Sequence, residues 1–444
     1  MKFDLGGLKD CLRTASVVGA GGAGFPSYMK LSAGADTLLI NGAECEPLLE
    51  TDFVLVRDHL SEVVAGARAV MEAASIPTCL LCMKKHNLPR LGLTDGEKIG
   101  DGVFVKMLPD AYPMGDEVNM IAEATGRIIR PGNLPITVGC IVYNVETVYN
   151  IYRAVSEETP VTEKWLCIGG DVPETLVVKV PVGTRVRDLF DHLGITVPET
   201  HAVLDGGPSM GAIVNPATAT VKKNSKSFLL LPRTAPAVVS KVVDLKTHAT
   251  RAATACCQCT RCTDMCPRNL LGYPLYPHMM VRSVTTVAEV TPEMVLSASL
   301  CCSCGICELA ACCQNISPRA MIQEFKGILA KNKLKFVATE DVSADPAREY
   351  RKLPSDRWMM HLGVSQFAHN PVKTVPDGYE PSAVEIGMNG HIGAPSVPTV
   401  KVGDTVAKGE KIADAAEGLS LPQYASVDGK VVFVDRNKVI LERV

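Results

Sequence analysis

The chain has 444 residues, 47% hydrophobic and 21% charged, with a formal net charge of −3. That composition is globular, and the length suits about three domains of roughly 150 residues each. A faintly acidic chain argues against nucleic acid, which needs a basic surface, and no apolar run reaches the ~18 residues that predict a membrane span.

The opening MKFDLGGLKD places Asp4 and two glycines where a secretory leader needs an apolar core, so a cytoplasmic chain is expected. The first landmark is VVGAGGAGFPSYMK. Gly19, Gly21 and Gly24 satisfy GxGxxG, and Glu44 lies some way on, as in a dinucleotide-binding fingerprint. The context speaks against that reading. Pro26 follows two residues after the last glycine, and the next apolar strand, from Thr37 to Ile40, begins too soon for a crossover helix. What remains is a glycine-rich loop whose bare backbone can approach a phosphate or flavin ring, with Lys30 as the phosphate partner. A turn without ligand is the alternative.

Strand TLLI runs into NGAECEP, which sets Glu44 and Glu46 at a strand's carboxyl end, where α/β sheets collect ligands. Thr51 to Ala74 shows the spacing of an amphipathic helix, and PTCLLCMKK reads as a strand. Strand alternation points Cys79 and Cys82 to different faces, which makes them core residues rather than a metal pair. Gly115, Asp116 and Glu117 open another helix, where backbone N–H groups and the helix dipole favour an anion. Tyr143 and Asn144 follow the apolar strand GCIV and precede a further helix. Residues 156–235 read as strand, turn, strand and a short helix after Gly183 and Thr184, then GGPSMGAIV and the apolar run to Pro232. A single helix, PAVVSKVVDLKTHATRAA, leads to the cysteines.

Eleven of the seventeen cysteines fall between Cys256 and Cys313. Cys256, Cys259, Cys262 and Cys266 give C-x2-C-x2-C-x3-C-P, which wraps three thiolates round one face of a cubane cluster. Cys301, Cys304 and Cys307 repeat the spacing, but the fourth thiol comes later, at Cys312 or Cys313. In two-cluster modules the fourth cysteine of each run ligates the other cluster. The expectation is therefore one [4Fe–4S] cluster on Cys256, Cys259, Cys262 and Cys312, and a second on Cys301, Cys304, Cys307 and Cys266. Zinc prefers C-x2-C pairs well separated along the chain, and disulfides need an oxidising compartment. Cys257, Cys302 and the spare thiol at 312 or 313 are expected to pack without a ligand role. ISPRAMIQEFKGILAKNKL then reads as a basic amphipathic helix, and residues 341–376 as a polar connecting region. The tail has short β segments broken by GD, KGE and DGK turns.

Four motifs carry a resemblance: GAGGAGFPSYMK, NGAECEP, YPMGDEVNMI and YNVET occur here in the order found in the FMN- and NADH-binding subunit of respiratory complex I. The chain is more similar still to the C subunit of Rnf electron-transport complexes and to the cobalamin reductases of propanediol-utilisation operons. The resemblance implies FMN held by Gly19, Gly21, Gly22, Gly24, Lys30, Asn41, Glu44, Tyr112, Gly115, Asp116, Glu117 and Asn144, with NADH stacking in the same cleft. It implies a multidomain α/β and α+β chain: a flavin-binding α/β domain (1–155), a β-grasp, SLBB-like domain (156–235), a ferredoxin-like two-cluster helical domain (236–340), the connecting region, and a barrel-sandwich hybrid β domain (377–444). The last resembles lipoyl domains, yet no lysine lies between Ile412 and Tyr424 to carry a swinging arm. In the Rnf proteins a similar HIGAPSVP segment precedes the flavin domain; here it follows the clusters, as in the cobalamin reductases.

Together these imply an oxidoreductase that moves electrons from NADH through FMN and two clusters to cobalamin, from cob(III)alamin to cob(II)alamin, with cob(I)alamin as the further step. It would serve a B12-dependent diol dehydratase inside a bacterial microcompartment, beside a cobalamin adenosyltransferase and a shell protein. No acid, base or nucleophile triad is required. The rival readings are an Rnf-like protein that reduces a protein partner and a flavin-free electron-carrying module.

Overall fold

In the computed structural model, residues 3–285, 290–375 and 379–444 are described. The strands of the first domain are β1 (Thr37–Gly42), β2 (Thr78–Lys84), β3 (Lys98–Gly100), β4 (Val103–Leu108), a short β5 (Ala111–Tyr112) and β6 (Cys140–Asn144). Its helices are α1 (Leu5–Thr14), α2 (Thr51–Ala74), α3 (Asn87–Leu91), α4 (Glu117–Thr125) and α5 (Val145–Ser156). The sheet order is β3-β4-β2-β1-β6, parallel except for β3 at the edge. Both faces are covered, which is why β1 reads as an unbroken apolar run. Leu38 and Ile40 join α1, α2 and α5 on one face, while Leu39 joins Met120 and Ile121 of α4 on the other. Cys79 and Cys82 also divide between these two cores, as strand alternation requires. No crossover helix separates the glycine loop from β1; a single 3-10 turn, Ser27–Lys30, fills the gap.

The second sheet contains β7 (Glu163–Gly170), β8 (Thr175–Pro181), β9 (His201–Asp205), β10 (Ala212–Val214) and β11 (Ser227–Pro232). A β7–β8 hairpin is followed by a helix, Val186–His192, and β11 then returns parallel to β7 in the middle of the sheet. Val186, Leu189 and Phe190 of that helix pack on Leu166, Ile168 and Phe228.

Two expectations are corrected. The single helix before the cysteines is two, Pro236–Val242 and Leu245–Ala255. Val243 turns extended, and Asp244 caps the second helix by accepting from the Thr247 backbone N–H at 2.7 Å. Nor does the region 341–376 merely connect. Its β12 (Leu353–Pro354) pairs with β5, the helix Ser355–Leu362 buries Trp358 completely, and β13 (Val372–Val375) joins the second sheet beside β8. The expected boundary at residues 376 and 377 lies outside the described residues.

The tail forms a four-stranded sheet (Ala383–Gly387, Lys438–Arg443, Gly429–Val434, Thr405–Val406) and a three-stranded one (Val397–Pro398, Lys411–Asp414, Gln423–Tyr424) round one apolar core. This unit docks on the first two domains. Ser16 Oγ donates to the Pro422 carbonyl at 2.8 Å, Ser426 Oγ to the Val182 carbonyl at 2.6 Å, and Lys408 pairs with Glu163 at 2.8 Å.

Candidate functional site

The glycines of the loop differ in what surrounds them. A Cβ on Gly21 would stand 3.0 Å from the Asn144 side chain; Gly22 has open space on that side; Gly24 sits at φ +73°, the left-handed region. Every side of the loop is tethered. The Ala20 N–H donates to Thr147 Oγ1 of α5 at 3.0 Å, and Lys164 of β7 donates to the Ala20 carbonyl at 3.2 Å. Asn224, from the loop before β11, donates to the Gly22 carbonyl at 3.1 Å, and the Ile392 N–H of the tail donates to the Gly24 carbonyl at 3.1 Å. Lys30 lies 3.5 Å from Glu117 and donates to the Val142 carbonyl at 3.1 Å, keeping 30% of its side chain exposed. A bare backbone loop, one accessible ammonium and the start of a helix are groups of the kind that bind an anion.

The other expected residues divide. Asn41 Nδ2 donates to the Gly115 carbonyl at 2.9 Å, and a Cβ on Gly115 would meet the Cys45 sulfur at 3.0 Å, so β1 and the approach to α4 touch. Asn144 caps α5 and donates to Asp52 at 2.8 Å. Glu44 is a helix cap rather than an open ligand: its carboxylate accepts from the Asp52 and Phe53 N–H groups at 2.9 and 3.2 Å. Burial, then the charge of Asp52, lifts its carboxyl to about 8, against the pull of Lys226. Glu46 accepts from the Ser209 and Met210 N–H groups, joining the first domain to the second.

Beneath the loop lies a charge cluster that only the structure reveals. Lys226 bonds Asp52 at 2.5 Å and stands 3.8 Å from Glu146, which also holds Lys164; Asp52 and Glu146 are buried. Burial pulls Lys164 down to about 8 in spite of Glu146. Lys164 lies in β7 and Lys226 in the loop just before β11, and no local signal in the sequence marks either.

The cysteines fall into two sets. Cys256, Cys257, Cys259, Cys262, Cys312 and Cys313 all line one cavity of about 100 Å³. The thiols that bear electrostatically on Cys262 are Cys312, Cys259 and Cys256; Cys313 is exposed. In the second run, Cys301 and Cys266 bear on the buried Cys307, while Cys302 bears most strongly on the buried Cys304, followed by Cys307 and Cys266. Burial raises Cys262 and Cys266 to about 12 each. Among the described residues no three His, Cys, Asp or Glu groups close tightly enough to hold one bare metal ion. The first run of thiols surrounds a cavity, and the second lies largely buried and close together.

Tyr112 and Asp116 reach this region rather than open space. Tyr112 is buried, stacks on Trp358 at 4.7 Å and 15°, and donates from its hydroxyl to the Cys304 carbonyl at 2.7 Å. Asp116 caps α4 and accepts from Arg268 at 2.7 Å, two residues past Cys266. The loop, Lys30, Glu117 and Asn144 thus form one side of a site, and Tyr112 and Asp116 form its seam with the cysteines.

Three family models match: the Nuo51 FMN-binding domain over residues 12–153, the 4Fe-4S dicluster domain over 255–317, and the RnfC barrel sandwich hybrid domain over 365–443. Among curated proteins, Cobalamin reductase PduS of Citrobacter freundii is 35% identical across 99% of this chain and 97% of its own length. That of Salmonella typhimurium is 36% identical across 98% and 96%. The C component of the ion-translocating oxidoreductase complex of Edwardsiella ictaluri is 32% identical over 61% of this chain and 33% of its own.

Proposed function

The chain belongs to the family of the PduS cobalamin reductases, and from that membership we propose that it carries electrons from NADH to cobalamin, taking cob(III)alamin to cob(II)alamin, with cob(I)alamin as the further step. The observation that carries this reading is the seam in which Tyr112 meets Cys304 and Asp116 meets Arg268, since it joins the flavin-type domain directly to the thiols. When bound, FMN would exchange a hydride and the two clusters single electrons.

The loop Gly19, Gly21, Gly22 and Gly24 with Lys30 would hold the flavin phosphate, and Asn41, Gly115, Glu117 and Asn144 would shape the ring's surroundings. Thr147 accepts the Ala20 N–H while Lys164 and Asn224 donate to the Ala20 and Gly22 carbonyls, which holds the loop in place; the N–H groups from Gly21 to Gly24, without a partner among the described residues, would face an anion. The Cys256, Cys259, Cys262 and Cys312 set and the Cys301, Cys304, Cys307 and Cys266 set would each hold one [4Fe–4S] cluster. The hairpin, helix and parallel return of the second sheet support a β-grasp, SLBB-like domain whose work here is structural: it supplies Asn224, Lys226 and the Ser209–Met210 amides. A cobalamin adenosyltransferase and a microcompartment shell protein are the partners that follow from the family.

An Rnf-like component reducing a protein is the second reading; the barrel-sandwich match at the carboxyl end, with full-length agreement to the reductases, weighs against it. The test is an anaerobic visible spectrum of reconstituted protein with NADH and cob(III)alamin. The cob(II)alamin band, dependent on added FMN, is expected. Bleached flavin with the corrin still oxidised would move the Rnf-like reading ahead, and no bleaching despite bound flavin and iron would remove NADH as donor.

A further inference from the structure

Arg268 follows Cys266 and Pro267 and lies on the seam between α4 and the second thiol set. Its side chain is 11% exposed, and Nη2 donates to Asp116 Oδ1 at 2.7 Å. The carboxylate of Asp116 also accepts from the N–H and Nδ2 of Asn119, so the ion pair is anchored to the first turn of α4. On its other side the guanidinium lies against the Cys302 thiol and 5.6 Å from the Tyr273 ring centre. Its Nε is buried and has no acceptor among the described residues. A desolvated donor left unused is costly. This one sits beside Cys302, and its charge also bears on Cys301, a thiol of the second set that would gather negative charge on reduction.

We propose that Arg268 is a positioning residue that locks the second thiol set to the start of α4 and raises the reduction potential of the cluster held there, so that this cluster is the one matched to accept electrons from the flavin side. The inference rests on the flavin and cluster reading above. Reduction of a cluster adds one electron, supplied in turn by NADH, and neither makes nor breaks a bond. A fixed cation with a free donor stabilises the added charge, and hydrogen bonds and net charge near the sulfurs are what set such potentials. Asp116 offsets part of that cation, so the two residues push in opposite directions.

The experiment is an EPR-monitored redox titration of the anaerobic holoprotein, with iron content measured for each sample: wild type, R268Q, R268K and D116N. R268Q is expected to lower the midpoint of one cluster and leave the other in place, R268K to restore most of the shift, and D116N to raise the same midpoint. Opposite signs are what a merely structural role would not produce. Iron-replete R268Q and D116N that titrate like wild type, or shift the same way, overturn the proposal. If R268Q loses iron, the sign of the D116N shift against R268K decides. A wild-type protein that takes up no clusters sinks the earlier reading instead.

Discussion

Lys223 and Lys226, three residues apart, are both buried lysines of opposite meaning. Burial pulls the Lys226 ammonium down, but Asp52, Glu146 and Glu44 outweigh it and leave it raised. Lys223 has the Ser16 hydroxyl at 2.6 Å and, among the described residues, no acid that offsets its burial, which lowers it to about 7. Lys226→Met strands the buried Asp52 carboxylate and should destabilise the protein by about 3–5 kcal/mol, read from denaturant unfolding. Lys223→Met should raise Tm at pH 7. The sign follows from proton counts: between pH 7 and 10.5 the native Lys223 has lost a proton that the unfolded chain keeps, so wild-type stability gained on raising pH through that window should be absent from the variant. At the thiols, Cys312→Ala should lose one cluster and Cys313→Ala neither, because Cys312 faces Cys262 while Cys313 is exposed; iron content decides.

At the scale of elements, α2 and α5 pack so closely that a Cβ on Gly66 would lie 2.3 Å from the Val148 carbonyl oxygen. Helix propensity favours Ala over Gly by about 1 kcal/mol. Backbone contact reverses that sign, since neither helix can yield without shifting the sheet beneath. Gly66→Ala should therefore destabilise by about 1–3 kcal/mol in urea unfolding, and a stabilised variant would show the helices free to separate. The extent of α2 was legible because the apolar spacing from Thr51 to Ala74 is a local feature, whereas its start is held by Glu44 from outside the helix. The break at Asp244 was less so: an Asp inside an amphipathic run looks like a surface residue until its side chain is seen to turn back on the next helix.

Across the whole molecule, the region from Cys256 to Ile316 is expected to depend on the clusters proposed for it. Its helices Arg261–Asp264, Pro277–Arg282, Pro292–Ser297 and Ile306–Leu309 have four to six residues each, far shorter than a helix that stands alone. Removing iron should collapse amide protection there while β1, β2 and β6, buried on both faces, stay protected; hydrogen exchange on apo and reconstituted protein checks this. Uniform loss of protection would mean that the domains fold as one unit. The amino-acid sequence alone determined the two cysteine runs, the glycine loop and its neighbour Lys30, because ligand spacing and backbone freedom operate over a few residues. Only the tertiary structure decided that Tyr112 serves the thiol loop, that Arg268 answers Asp116, that Lys226 neutralises Asp52, and that residues 353–375 are architecture. Those partners lie some 150 to 240 residues apart, and which buried charge meets which is set by how the sheets and helices pack, a geometry that no local period records.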